Sequence, residues 1–475
     1  MDIRNVTTQG VSRRAFLKAV AASAGAVVLA ACQPQAAAPT QPPAQESTSA
    51  TAVPAATAAP EATAVPAATA QPAEQKAVEL RLTFWGDLAD MPTWKWGLDQ
   101  WSQKEPNIKI KWENTEWGTY WTKLQTEVAG GTTPDVVGMV SMYSQQYIRQ
   151  GTLLPLDDYI TKEPDVNIGD FWPAIMTAYR WKGQTFCFPY DLSTMLIFYN
   201  KSLLDGASVP YPVGDWTWDQ FLDACQKLTK DTNGDGKPDQ FGWLLPAFDW
   251  TIDAFLRTNK AQMVSDDGQK CLLGTPEAIE TVQWLGDLRN KYHVVPTIGE
   301  QGDIPMWETG KAAMTWGNPE AVQTMVTRVG PPRKNDKFLW DLALVPKKQV
   351  NGNALHGGSF AIGKSTKFQD EAWKFLKFYT SSDILREMVA KPSRGIPGRR
   401  SCIDAFLSDQ NPEHQKYFLD VLDYEGMKCI AYPAYQQVLD IWGKYGDMVF
   451  LGQATAAEAM PKAVAEIDPI LAKTS

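Results

Sequence analysis

Residues 33–76 of this 475-residue chain cannot bury a core, and that confines folding to the residues C-terminal to them. The segment is rich in Ala, Pro, Thr and Gln, has almost no large apolar side chain, and repeats Ala-Thr-Ala-Val-Pro-Ala-Ala-Thr-Ala at 50–58 and 62–70. Such a composition predicts a disordered, partly extended tether. Flexible-chain scaling gives it an r.m.s. reach of roughly 35–40 Å. Ahead of it, residues 1–32 read as an export address. Ser12-Arg13-Arg14-Ala15-Phe16-Leu17-Lys18 matches the twin-arginine signal pattern. The apolar run Ala19 to Ala31 is too short to span a bilayer, and it ends in Leu29-Ala30-Ala31-Cys32, which resembles a bacterial lipobox. Cleavage before Cys32 and acylation of its thiol are therefore expected, anchoring the protein to the outer face of the cell membrane.

The folded remainder is acidic. The chain's formal net charge is −9; residues 1–32 carry four basic groups against Asp2, a net of +3, so the rest stands at −9 − 3 = −12. Nucleic-acid binding needs clustered Lys and Arg, so it is excluded as an expectation. Three histidines, His293, His356 and His414, are dispersed and form no zinc motif. Setting Cys32 aside, five cysteines remain (Cys187, Cys225, Cys271, Cys402, Cys429), which leaves either two disulfides or buried thiols open.

From Ala77 onward the hydrophobic pattern alternates between strand and helix. Leu80 to Phe84 alternates with period two; Trp94, Leu98 and Trp101 share one helical face; Ile108 to Trp112 and Pro134 to Val140 read as further strands. Later, Ala312 to Trp316, Ala343 to Pro346 and Ser359 to Ile362 are strand candidates, and Asp370 to Thr380 presents Ala372, Phe375, Leu376 and Tyr379 on one face. Asn318 followed by Pro319 predicts a helix start with Asn as the cap. Strands alternating with helices imply α/β lobes with mainly parallel sheets.

Six segments, in order, resemble the family 1 extracellular solute-binding proteins, the maltose-binding-protein-like group. They are Gly131-Thr132-Thr133-Pro134-Asp135-Val136, Leu153-Leu154-Pro155-Leu156-Asp157-Asp158-Tyr159, Phe198-Tyr199-Asn200-Lys201, Trp216-Thr217-Trp218-Asp219-Gln220-Phe221, Lys311-Ala312-Ala313-Met314 and Gly357-Gly358-Ser359-Phe360-Ala361-Ile362. The residue before Trp216, Asp215, departs from the family's pattern. The resemblance covers residues 77–475. It implies a two-lobed α/β fold with a hinge, a ligand in the interlobe cleft, and delivery of a sugar to an ABC permease by a monomer that needs no cofactor. It further implies a first lobe of 77–190 plus 312–362 and a second of 191–311 plus 363–475. The first crossing is expected near Tyr190-Asp191 and the return near Lys311.

Ligands of open α/β sheets bind beyond the carboxyl ends of strands. That rule selects Trp85, Gly86 and Asp87 after the first strand, Glu116 and Trp117 after the second, and Ser141, Met142 and Tyr143 after the third. It adds Tyr190 and Asp191 at the crossing, Trp316 and Asn318 after the Ala312 strand, and Gly357 with Gly358 before another. Trp243, Trp250 and Arg394 are further candidates. The chemistry suits a sugar, whose C–H face packs on indole while its hydroxyls bond carboxylates and backbone N–H groups. Of 19 Trp, seven fall between Trp85 and Trp121, too many for all to be core, although Trp94 and Trp101 belong there by their spacing. Separately, Asp231, Asn233, Asp235, Lys237 and Asp239 match positions 1, 3, 5, 7 and 9 of a calcium loop, with Gly242 where the bidentate Glu would stand. Three rivals remain: an exported glycoside hydrolase, which would place two carboxylates in the cleft, a binder of a polyol, glycerol phosphate or peptide, and an adhesin or structural surface protein with no small ligand and no hinge.

Overall fold

A computed structural model describes residues 77–86, 92–245, 249–297, 303–391, 394–407 and 412–474. The export signal, Cys32, the tether and Asp87 lie outside the described residues. Among the described residues no helix is long and apolar enough to cross a membrane.

The first sheet has the order β2-β1-β3-β13-β6. Its strands are β1 (Val78–Trp85), β2 (Ile108–Thr115), β3 (Val136–Val140), β6 (Cys187–Pro189) and β13 (Gly358–Ile362). Strand β1 runs parallel to β2 and β3, and β13 runs antiparallel to β3 and β6. Leu80, Leu82 and Phe84 of β1 are fully buried, as their alternation requires, and every residue of β3 is buried because it is covered on both faces. Helices α1 (Pro92–Lys104), α2 (Trp117–Ala129), α3 (Ser141–Arg149) and α8 (Gln369–Tyr379) cover this sheet. Trp94 and Trp101 are core, and the Trp101 indole N–H bonds Ile108 O at 2.9 Å. A small hairpin, β4 (Arg180–Trp181) with β5 (Gln184–Thr185), stands apart.

The second sheet has the order β11-β8-β10-β9, with β8 (Leu196–Asn200), β9 (Phe241–Trp243), β10 (Ala312–Gly317) and β11 (Trp340–Ala343). Around it lie α4 (Trp218–Leu228), α5 (Asp249–Thr258), α6 (Pro276–Asn290) and α7 (Pro319–Arg328). Thr217 and Gln220 close a capping box on α4, whose Phe221, Ala224, Cys225 and Leu228 form the buried stripe. The C-terminal helices α9 (Tyr435–Phe450) and α10 (Ala456–Leu471) pack here as well: Asn290 bonds Val449 O, and Gln283 accepts from Ala456 N.

A third, short sheet joins the two lobes, in the order β14-β7-β12-β15, with β7 (Asp191–Thr194), β12 (Gly352–His356), β14 (Ile396–Pro397) and β15 (Gly426–Cys429). The chain leaves the first sheet at Tyr190, runs through β7 and enters β8 within a few residues. It returns through β12 and Gly357 into β13, and it passes a third time between β14 and β15.

The return point differs from the sequence expectation. Strand β10, expected in the first lobe from 312, is in the second sheet, with Met314 opposite Tyr199 and Ala312 opposite Phe241. The passage back is made at Gly357-Gly358, where any side chain would collide with Asp191 O and the Tyr190 ring. Segment 363–407 then returns to the first lobe rather than the second. There Tyr379 donates to Trp94 O at 2.7 Å and Phe375 packs edge-on against Trp101 at 5.2 Å. The five described cysteines are all free thiols, four of them buried.

Candidate functional site

Two adjoining pockets lie where the lobes face each other. The inner one, of about 150 Å³, is walled by Phe84, Trp85, Trp94, Trp117 and Tyr190, with Asp191, Glu320, His356, Gly358 and Arg394 supplying the polar groups. The outer one, of about 880 Å³, lies between α2 and α3 on one side and α9 with Trp250 on the other. Trp117 stands in the wall of both.

Each inner residue is placed by a strand end or a crossing. Trp85 closes β1 and stacks on Phe84 at 4.2 Å, with Trp117 edge-on at 5.2 Å. Tyr190 and Asp191 sit where β6 becomes β7. Asp191 Oδ1 accepts from Gly358 N at 2.6 Å. Glu320 occupies the first turn of α7 and accepts from the Ser193 hydroxyl of β7. His356 ends β12, and Arg394 precedes β14 by two residues.

Burial dominates the electrostatics. The Asp191 carboxyl is held well above its usual range by burial and then by the Glu320 charge, with the Gly358 N–H and Arg394 opposing. Glu320 is pushed up to about 7 by burial, against the Ser193 hydroxyl and Arg394. His356 is pushed down to about 4 by burial and is neutral at pH 7. Glu320 Oε2 and His356 Nε2 are shut off from solvent and have no hydrogen-bond partner among the described residues. Buried polar atoms are ordinarily paired, so two orphans lining one cavity are a demand for a ligand's hydroxyls or for water.

The outer pocket is aromatic and nearly neutral. Trp121 stacks on Tyr143 at 3.8 Å and 7°, and Tyr143 meets Tyr435 edge-on at 5.0 Å. Gln125, Gln146, Gln150, Gln436 and Gln437 add amides that both donate and accept. Among the described residues Asp440 is the one charged side chain in its lining. The Tyr143 hydroxyl donates to Gln436 Oε1 at 2.5 Å, linking α3 of the first lobe to α9 of the second.

Over residues 85–384 the chain matches the bacterial extracellular solute-binding proteins. It belongs to that family. Its fold is similar to that of an ABC substrate-binding protein from Listeria monocytogenes, solved in complex with cycloalternan (TM-score 0.74, 20% identity, 83% of this chain and 99% of the other). It is also similar to the GacH receptor of Streptomyces glaucescens, solved unliganded and with acarbose (TM-score 0.71, 18% identity, 84% and 99%). A maltotriose-binding protein of Pyrococcus abyssi is 23% identical over 282 residues, 58% of this chain and 56% of that one.

In this solute-binding protein the structure brings together part of the residue set selected by the strand-end rule. Trp85, Trp117, Tyr190, Asp191 and Gly358 line the inner pocket, and Trp117, Met142 and Tyr143 the outer; of the further candidates, Arg394 lines the inner pocket and Trp250 the outer. Trp316 packs edge-on against Trp250 at 4.7 Å, behind the wall. Others do different work. Glu116 caps α2, accepting from Gly118 N and Thr119 N at 3.0 and 3.1 Å. Asn318 caps α7, accepting from Ala321 N at 2.9 Å. Gly86 takes a positive φ and bonds Thr115 O. Ser141 is fully buried and bonds Gly357. Trp243 is not at the site: it is fully buried in β9 against Phe221 and Phe255.

Glu320, His356 and the α9 residues Tyr435 and Gln436 are pocket residues the strand-end rule did not select. For Glu320 the run Gly317-Asn318-Pro319-Glu320 held the only local signal, and that signal points to helix capping alone.

The loop from Asp231 to Asp239 is exposed and internally bonded. Asp231 accepts from Gly234 N and Gly236 N, Asn233 from Asp235 N, Asp235 from Lys237 N, and Asp239 from Thr232. Gly242 lies in β9 with the Cys225 backbone directly against it, so no side-chain ligand stands at position 12.

Proposed function

We propose that this protein captures a neutral carbohydrate by hinge closure and hands it to a membrane permease, without chemical turnover. The observation that carries the reading is the pairing of indole and tyrosine surfaces with orphaned polar atoms in a cleft walled by both lobes. Aromatic faces cover C–H surfaces, and the carboxyls, His356 and glutamines take hydroxyls. A pocket of about 880 Å³ lies at the upper end of the usual range of ligand sites, which favours an oligosaccharide over a single ring. Phosphorylated ligands are disfavoured: among the described residues the outer lining has no Lys or Arg, and Arg394 in the inner pocket faces two carboxyls.

The relatives and neighbours of this chain are named as binding proteins, among them a maltotriose-binding protein and an ABC substrate-binding protein, which supports binding over cleavage. The test is thermal unfolding against mono- and oligosaccharides, polyols and glycerol phosphate. Ligand at 1,000 times its Kd adds about 4.1 kcal/mol, a rise of several degrees in Tm. Recovery of intact sugar supports capture; its breakdown would return the hydrolase reading. Anchoring through Cys32 belongs to the same proposal. Replacing Cys32 by Ala is expected to abolish incorporation of labelled fatty acid and to release the protein into the medium.

A further inference from the structure

The inner pocket is built from the hinge itself. Asp191 opens the first crossing strand, His356 ends the second, and Arg394 lies two residues ahead of the third. The two carboxyls are tied to opposite lobes. Asp191 is held to the first sheet by Gly358 N–H, and Glu320 belongs to α7 of the second lobe, where the Ser193 hydroxyl of β7 reaches it. Opening the hinge would admit water to the pair; closing it buries both beside Trp85, Trp94 and Tyr190.

The charge count does not balance in that closed pocket. Two carboxylates face one guanidinium, and burial keeps His356 neutral. One uncompensated negative charge among buried aromatic side chains is costly, and two carboxyls in one site resolve it by holding one proton between them. Glu320 Oε2, shielded and without a partner among the described residues, would then act as a donor or acceptor toward a ligand hydroxyl.

We propose that the Asp191–Glu320 pair holds one shared proton in the closed state, so that the protein closes on its sugar together with a proton and loosens as the pH rises. The inference rests on the carbohydrate-binding reading for its ligand but not for its proton. The raised position of both carboxyls supports it, burial being the largest cause for each. In the open cleft the pair returns toward the ordinary carboxylate range near 4. The closed form therefore binds more protons, and it is favoured below the raised value and penalised above it. The other groups facing the pair are Arg394, His356 and Tyr190. With His356 near 4 and Tyr190 far above its usual range, neither changes charge in the closed form between pH 6.5 and 9.

Two measurements on the full chain test this. Infrared difference spectra of wild type minus Glu320→Gln are taken with saturating maltotriose, which holds the cleft closed, and without it. A protonated-carboxyl band at pH 7 in the maltotriose complex that is lost by pH 9 is expected, and Asp191→Asn should remove it as well. Absence of that band from the maltotriose complex at pH 7 overturns the proposal. Calorimetric titration with maltotriose, in buffers of different ionisation enthalpy, then reads the linkage. Its Kd should weaken about tenfold per pH unit above the pair's titration, with proton uptake, and Glu320→Gln should flatten the slope. Maltotriose binding that is flat from pH 6.5 to 9 in wild type overturns the coupling. If no sugar in the panel binds and the band appears without one, the proton assignment stands and the carbohydrate reading falls; if no sugar binds and no band appears, both fall.

Discussion

Removing the Tyr143 hydroxyl should weaken ligand binding without unfolding either lobe. Tyr143 stands on α3 of the first lobe, and its hydroxyl donates to Gln436 on α9 of the second at 2.5 Å. The bond spans the two lobes, so opening the cleft would break it and its energy favours the closed state. A net hydrogen bond contributes about 0.5–1.5 kcal/mol. Tyr143→Phe keeps the stack on Trp121 and deletes the hydroxyl that makes that bond. The open–closed equilibrium should then shift toward open by about 2- to 13-fold, and the Kd of any ligand that requires closure should rise by the same factor. The assay is a double-mutant cycle with Gln436→Leu, reading Kd by calorimetry and closure by small-angle scattering. The coupling between the two sites isolates the pair from any bond the hydroxyl makes to the ligand itself. Single variants that lose affinity additively, with no coupling, would refute the closure argument and leave Tyr143 as a ligand contact only.

Three further outcomes are expected. Trp117, 40% exposed, stands in the wall of both pockets, so Trp117→Ala should cost about 1–3 kcal/mol in binding, read by calorimetry, while Tm changes little. Gly358→Ala puts a methyl group into the Tyr190 ring at a crossing where the backbone cannot retreat; overpacking of this kind costs about 1–3 kcal/mol and should lower the midpoint of urea unfolding. His356 and Glu320 should act oppositely on stability. The histidine is pushed down to about 4, so the unfolded chain binds the extra proton and stability is lost as pH falls from 6.5 toward 4. Glu320 is pushed up to about 7, so the folded chain holds the extra proton and stability is lost as pH rises from 4.5 toward 7. Urea unfolding of His356→Gln and Glu320→Gln, each subtracted from wild type across pH 4–8, should give slopes of opposite sign.

Periodicity made the elements of the first sheet legible, because a strand covered on one or both faces must carry its buried residues at fixed spacing. Leu80, Leu82 and Phe84 lie inward, and Trp94 and Trp101 fill the helix–sheet core that their spacing required. Periodicity carries no information about which sheet a strand joins. Strand β10 is buried like the strands of the first sheet, yet it pairs with β8 and β9, and the double glycine at 357–358 marks where the chain passes back between lobes. The same limit explains the site. Residues just beyond strand ends, such as Trp85 and Asp191, could be named because their position is set by local structure. Glu320 could not, because in its own segment it is an acidic residue in the first turn of a helix, a place where carboxylates are favoured for reasons of capping and dipole alone. Its place in the pocket comes from Asp191 and Ser193, more than 120 residues earlier, brought opposite it by the hinge strand. Tyr435 and Gln436 are hidden in the same way, since α9 reaches the cleft only by packing on α6. A carboxyl pair drawn from a hinge strand and a helix so far apart in sequence is therefore invisible in either segment alone.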